Sequence, residues 1–187
     1  MPPSPTTHKT ADIRANLTRP IVLVGLMGVG KSTVGKRLAT RLGLPFVDSD
    51  EEIADAAGMS PGELFDNYGE RQFRDGERRV IARLIDGTVK VIATGGGAFV
   101  NDETRALLLS RAMPVWLDAD IDVLAERVAR RDTRPLVRGD DPRAALAELA
   151  EQRNPLYAQA PIKVQSDAGS HEATVDRIIQ ALGACIA

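Results

Sequence analysis

The amino-acid sequence predicts an α/β fold, a parallel sheet covered by helices on both faces. Short β-branched runs alternate with stretches of helical spacing along most of the chain, the pattern of strand–helix–strand crossovers. The first run is apolar at every position, as strands buried on both faces are. It leads straight into a glycine-rich loop that opens a helix. With 187 residues and 43% hydrophobic side chains, the chain suits one domain with a substantial core.

Met1 to Asn16 holds three prolines, three threonines and little apolar periodicity. It reads as a flexible tail, with residues 1–17 preceding a single domain over 18–187. Pro20-Ile-Val-Leu-Val24, closed by Gly25, is the first strand. Gly30 to Leu42 places Val34, Leu38 and Leu42 on one helical face and stops at Gly43. Leu44 to Val47 is a brief second strand, and Glu51 to Ala57 is helical. Ser60-Pro-Gly-Glu63 is a capping box with proline at the first helical position, so a helix begins there. Gly69 to Asp86 is a longer helix, followed by the strand Val89 to Thr94 and by Gly95, Gly96 and Gly97. Thr104 to Ser110 is helical and Pro114 to Leu117 a strand. Ile121 to Arg130 is a helix with Leu124 and Val128 facing inward. Residues 131–141 carry six charges in eleven positions, cannot bury much surface and are expected to be mobile. The helix Pro142 to Gln152, the strand Ile162 to Gln165 and the helix Glu172 to Ile186 complete the chain.

Composition narrows the function. With 24 basic and 26 acidic residues the net charge is −2, which lacks the basic footprint of a nucleic-acid binder. The single cysteine, Cys185, excludes an intrachain disulfide and a thiolate metal cluster, and is expected to be a packed thiol. Only His8 and His171 are present, which argues against a histidine-rich metal site or a Ser/His/Asp triad, and neither is expected to be catalytic. The apolar stretch from Ile21 to Gly30 is too short to span a bilayer, and nothing reads as a signal peptide. A cytoplasmic protein without membrane or nucleic-acid partners is expected. Trp116, on a strand, is expected in the core.

The strongest signal is Gly25-Leu-Met-Gly28-Val29-Gly30-Lys31-Ser32, a match to G-x-x-x-x-G-K-[ST]. Glycines let backbone N–H groups converge on phosphate oxygens, and the helix N-terminus that follows adds a positive dipole end. Lys31 reaches the β- and γ-phosphates, and the Ser32 hydroxyl suits Mg²⁺. The guanine-reading N-K-x-D pattern is absent, because the four asparagines precede Leu, Tyr, Asp and Pro. A switch GTPase thereby loses ground to ATPases and small-molecule kinases.

Ligands of an open parallel sheet sit beyond the carboxyl ends of its strands, and several polar residues fall there. Asp48-Ser-Asp50 offers one carboxylate to a metal and another to an acceptor hydroxyl, while either aspartate equally suits a helix N-cap. Gly95 to Gly97 strip side chains from a strand end, which lets a ligand approach the backbone or simply makes a loop. On the helix after Gly69, Phe73, Glu77, Val80 and Leu84 share a face, so Glu77 needs a partner, and Arg74 at i−3 can supply it. Arg74 would then stand rigidly at a pocket edge, poised for an anion. Arg134 lies in the charged segment and Arg153 just past the next helix; each is either a solvated surface residue or a ligand-facing arginine, Arg134 as part of a closing lid.

Together these residues resemble the shikimate kinase family. The likeness rests on Gly25-Leu-Met-Gly-Val-Gly-Lys-Ser-Thr33, Asp48-Ser-Asp50, Gly69-Glu-x-x-Phe73-Arg74-x-x-Glu77, Thr94-Gly-Gly-Gly97, Thr133-Arg134-Pro135-Leu136 and Arg153-Asn-Pro-Leu-Tyr157, six segments in order between residues 20 and 185. The resemblance implies a three-layer P-loop fold like that of nucleoside monophosphate kinases, with a five-stranded parallel sheet in the order 2-3-1-4-5. It implies transfer of the ATP γ-phosphoryl group to the 3-hydroxyl of shikimate, by a monomer needing Mg²⁺. Gly28, Val29, Gly30, Lys31, Ser32 and Thr33 would cradle the phosphates, with Lys31 and Arg134 acting on the transferring group. Ser32 and Asp48 would hold Mg²⁺. Asp50 would bind shikimate and position or deprotonate its hydroxyl. Arg74 and Arg153 would grip its carboxylate, and Gly95, Gly96 and Gly97 would offer backbone. Residues 48–77 would form a substrate-binding subdomain and 131–141 a lid. The alternative is another small-metabolite or nucleotide kinase, gluconate kinase being the nearest in style; a neutral or phosphorylated acceptor would not need two arginines framing Asp50. A binding module that had lost catalysis would be expected to lack Lys31, Asp50 or Arg134, and all three are present.

Overall fold

A computed structural model of the chain describes residues 5–130, 141–166 and 169–186. Five parallel strands, β1 (Ile21–Val24), β2 (Phe46–Asp48), β3 (Val91–Ala93), β4 (Met113–Asp118) and β5 (Ile162–Gln165), form one sheet in the order β2-β3-β1-β4-β5. This is the strand order that the family resemblance implies. Eight α-helices lie among the described residues: α1 (Pro5–Asn16), α2 (Lys31–Leu42), α3 (Ser49–Ala57), α4 (Pro61–Leu84), α5 (Asp102–Arg111), α6 (Ile121–Ala129), α7 (Pro142–Tyr157) and α8 (His171–Ile186). Central β1 is buried at all four positions, which explains its unbroken apolar run. Edge strand β5 instead alternates, burying Ile162 and Val164 while Lys163 and Gln165 face out. Pro114 is tolerated inside β4 because β5 pairs only from Val115 onward, so the missing N–H falls where there is no partner strand.

The core runs through both sides of the sheet: Val34 and Leu38 from α2, Leu108 from α5, Leu124 from α6, Leu146 from α7, Val175 and Ile178 from α8. Trp116 belongs to it as expected, whereas Cys185 is exposed. The segment read as a flexible tail contains a helix. Within α1, Ile13 is buried, as is Leu17 just beyond, and the helix packs on α2 and α8. Two apolar residues four apart are too few to stand out in a polar sequence, and docking rather than intrinsic propensity holds such a short helix.

Two further boundaries differ from expectation. The helix that begins at Ser60 and the helix expected from Gly69 join into one element, α4, kinked at Gly69, whose φ of 79° and ψ of 169° are non-helical. Only glycine takes such a φ without strain. The helix expected to end at Gln152 runs on through Pro155 to Tyr157. An internal proline costs a helical hydrogen bond. The fully buried Tyr157 ring, packed between Phe99 and Trp116, offsets that loss. Arg153 is consequently a helical residue, presented at a defined height.

Candidate active site

The phosphate-binding loop between β1 and α2 needs glycine at three positions, with φ of 139° at Gly25, 80° at Gly28 and 98° at Gly30. At Gly25 a side chain would also strike the Leu117 carbonyl. Gly30 occupies the N-cap of α2 and brings no side-chain cap, so the first amides of that helix face the loop. Lys31 is buried, and its Nζ donates to the Gly25 and Leu26 carbonyls at 2.7 and 2.9 Å, which lays the ammonium along the inside of the loop. On the outer side, Arg127 from α6 and Ser166 after β5 both donate to the Val29 carbonyl, at 3.2 and 3.0 Å. The His171 imidazole, at the start of α8, packs beside Gly30. Nothing in the sequence pointed to these three residues, because each reaches the loop from a distant element.

Ser32 Oγ donates to Asp48 Oδ2 at 2.5 Å, and Asp48 Oδ1 accepts the Asp50 backbone N–H at 2.9 Å. Asp48 is therefore both the N-cap of α3 and the neighbour of the Ser32 hydroxyl, which leaves the Asp50 side chain to another purpose. A hydroxyl and one carboxylate at the foot of a phosphate-binding loop fit Mg²⁺, which keeps several waters and takes its remaining ligands from substrate phosphates. Among the described residues no cluster of three or more His, Cys, Asp or Glu side chains could hold a metal, and such a site requires none.

A second cluster of polar residues is built around the three glycines after β3. Thr94 anchors the strand end by donating both its N–H and its hydroxyl to the Leu23 carbonyl of β1. A Cβ on Gly95 would lie 2.8 Å from Asp50 Oδ1 and 3.1 Å from Glu77 Oε1. One on Gly97 would lie 2.2 Å from Arg74 Nη2, and one on Gly96 3.7 Å from Arg153 Nη1. Each glycine thus faces one of the charged residues singled out in the sequence. Asp50, Arg74, Glu77 and Arg153 surround one backbone segment that has no side chains of its own.

Arg74 is gripped as expected: its Nη1 donates to Glu77 Oε2 at 2.7 Å. Glu77 is only 2% exposed, and its burial pushes the carboxyl above the usual range, with Arg74 and Arg153 pulling it back and Asp50 pushing it further up. Arg134 and the rest of the charged segment from 131 to 140 lie outside the described residues. Gly97 has an ordinary φ of −96°, so its replacement by alanine tests space alone. Gly97→Ala is expected to push Arg74 off its place and raise the KM for the acceptor about tenfold, the loss of one charge-assisted hydrogen bond. A parental KM in steady-state assays would show that Arg74 need not stand there.

A nucleotide-binding P-loop on a 2-3-1-4-5 parallel sheet, with a cluster of two carboxylates and two arginines around the glycines after β3, is the arrangement of an ATP-dependent small-molecule kinase. The chain belongs to the shikimate kinase family, whose family model, described as "Shikimate kinase", matches residues 27–183. A shikimate kinase of Caulobacter vibrioides is 57% identical over 171 residues, covering 91% of this chain and 86% of that one. The structure of a shikimate kinase from Acinetobacter baumannii in complex with shikimate is similar with a TM-score of 0.84 and 34% identity, covering 90% of this chain and 95% of that one. A gluconokinase from Sinorhizobium meliloti, at a TM-score of 0.59 and 21% identity over 90% of this chain and 94% of that one, shares the fold.

Proposed function

We propose that this chain transfers the γ-phosphoryl group of ATP to the 3-hydroxyl of shikimate, giving shikimate 3-phosphate and ADP on the route to chorismate and the aromatic amino acids. The observation that carries the reading is the ring of Asp50, Arg74 and Arg153 around the side-chain-free segment Gly95–Gly97. Two guanidinium forks suit a carboxylate and an aspartate suits hydroxyls, the two kinds of group that shikimate carries.

Phosphoryl transfer asks a protein mainly to position its reactants and to neutralise charge. Backbone N–H groups of Gly28 to Thr33 hold the triphosphate, and Lys31 swings from the loop carbonyls onto the β- and γ-phosphates. Ser32 and Asp48 would hold Mg²⁺, which would supply positive charge to offset that of the phosphates. Arg74 and Arg153 clamp the shikimate carboxylate, which sets the ring so that its 3-hydroxyl meets Asp50. Asp50 aligns that hydroxyl and receives its proton as the new O–P bond forms and the bond to the ADP oxygen breaks. Gly95, Gly96 and Gly97 let the ring lie against backbone. Arg134 acts on the charge of the transferring group, and residues 48–77 act as the substrate-binding subdomain. The reading carries with it a monomer in the cytoplasm that engages two small molecules, and neither nucleic acid nor membrane; the net charge of −2 favours no polyanion. No described helix is long and apolar enough to cross a membrane.

A coupled ADP-release assay with ATP and Mg²⁺, run with shikimate beside gluconate and nucleoside monophosphates, tests the reading. Turnover that requires shikimate and disappears when its carboxylate is esterified is the expected result. Turnover on gluconate, or none that depends on shikimate, would overturn the assignment.

A further inference from the structure

Arg153 and Tyr157 sit four residues apart on α7 and therefore share a face. Both direct their polar atoms at one acceptor. The Tyr157 hydroxyl donates to the Gly96 carbonyl, and Arg153 Nη1 donates to the same oxygen at 3.3 Å. The guanidinium and the hydroxyl thus meet at one carbonyl oxygen, which ties the three groups into one cluster. The tyrosine has no freedom to leave it. Its ring is fully buried, with the Phe99 ring stacked 6.3 Å away and the Trp116 ring tilted at 6.1 Å. Burial also pushes the phenol upward from its ordinary range, so at neutral pH the hydroxyl keeps its proton and remains a donor.

The consequence follows from peptide geometry. In a trans peptide the carbonyl of one residue and the N–H of the next point in opposite directions. Pinning the Gly96 carbonyl toward α7 aims the Gly97 N–H to the other side. The same hydroxyl limits where the Arg153 guanidinium rests. We propose that Tyr157 is a positioning residue of the acceptor site, one that sets both the Gly96–Gly97 peptide and the Arg153 fork without touching the substrate. This rests on the shikimate kinase reading, and it predicts selectivity between the two substrates: the cluster belongs to the acceptor side, whereas the nucleotide loop is held by Arg127 and Ser166.

Tyr157→Phe keeps the ring and deletes the donor. Its KM for shikimate is expected to rise roughly tenfold, the worth of one lost hydrogen bond to a buried carbonyl, while the KM for ATP stays within about twofold. In an Arg153→Ala background the same change is expected to raise the shikimate KM by a clearly smaller factor than in the parent, because the route through the guanidinium is gone and only that through the Gly96–Gly97 peptide remains. KM does not depend on the fraction of folded enzyme, so both ratios stay readable if the variant is less stable. An unchanged shikimate KM, an equal rise for ATP, or full additivity with Arg153→Ala would overturn the proposal. If the parent enzyme lacked shikimate-dependent turnover, the functional reading would fail instead, and the two failures are told apart by the parent alone.

Discussion

Asp50→Asn is expected to lower kcat with shikimate by a factor of ~10²–10⁴, the range for removing a general base, while ATP affinity stays within about twofold. The substitution is nearly isosteric. It keeps the Asp50 backbone N–H on Asp48 Oδ1, so the cap of α3 and the Ser32–Asp48 pair survive. What it removes is a negative charge beside Gly95, where the proposed mechanism puts the acceptor hydroxyl, and the capacity to take that hydroxyl's proton. Loss in kcat with little change in either KM would place the role in the transition state; a kcat near the parent value would remove Asp50 from the chemistry. Titration with ATP in the absence of shikimate separates the two substrates cleanly.

Arg153→Ala is expected to raise the shikimate KM by roughly 10–100-fold, the value of one charge-assisted hydrogen bond to a carboxylate, and the ATP KM far less. Arg153→Lys should recover only part of it, since an ammonium cannot reproduce the planar fork. The substitution has a second consequence in stability. Burial raises the Glu77 carboxyl, and Arg153 is one of two cations that counter this. A carboxyl raised above its unfolded value contributes most below the ordinary range of about 4.5, and that contribution is lost as pH climbs through the raised value. Without Arg153 the charged form of Glu77 is costlier still, so the fall in Tm relative to the parent should be larger at about pH 8 than at about pH 5. Equal losses at both would mean that Arg153 does not balance Glu77, and an unchanged shikimate KM would refute the carboxylate clamp.

The residues of the site were legible in short segments because their chemistry is local. The Lys31 loop follows from glycines at fixed spacing, and Arg74 from the need of an inward-facing Glu77 for a cation one turn away. The Asp48–Ser49–Asp50 pair remained ambiguous until the contact with Ser32, sixteen residues earlier in the chain, made Asp48 the cap and the neighbour of the hydroxyl. Arg127, Ser166 and His171 were silent for a related reason. They meet the phosphate-binding loop across sequence separations of about a hundred residues or more, where periodicity carries no information.

Alternation of apolar runs and helical faces determined the fold class, the number of strands and, through the glycines and Lys31, the place where a nucleotide binds. Those properties depend on local periodicity and backbone freedom, which a sequence displays directly. Tertiary structure alone decided three others. It ordered α1 by burying Ile13 and Leu17, carried α7 past Pro155, and gathered Asp50, Arg74, Glu77 and Arg153 around Gly95–Gly97. In each case long-range packing outweighs a local preference, a polar composition or a helix-breaking proline, and the energy that decides lies between elements that are far apart in the chain.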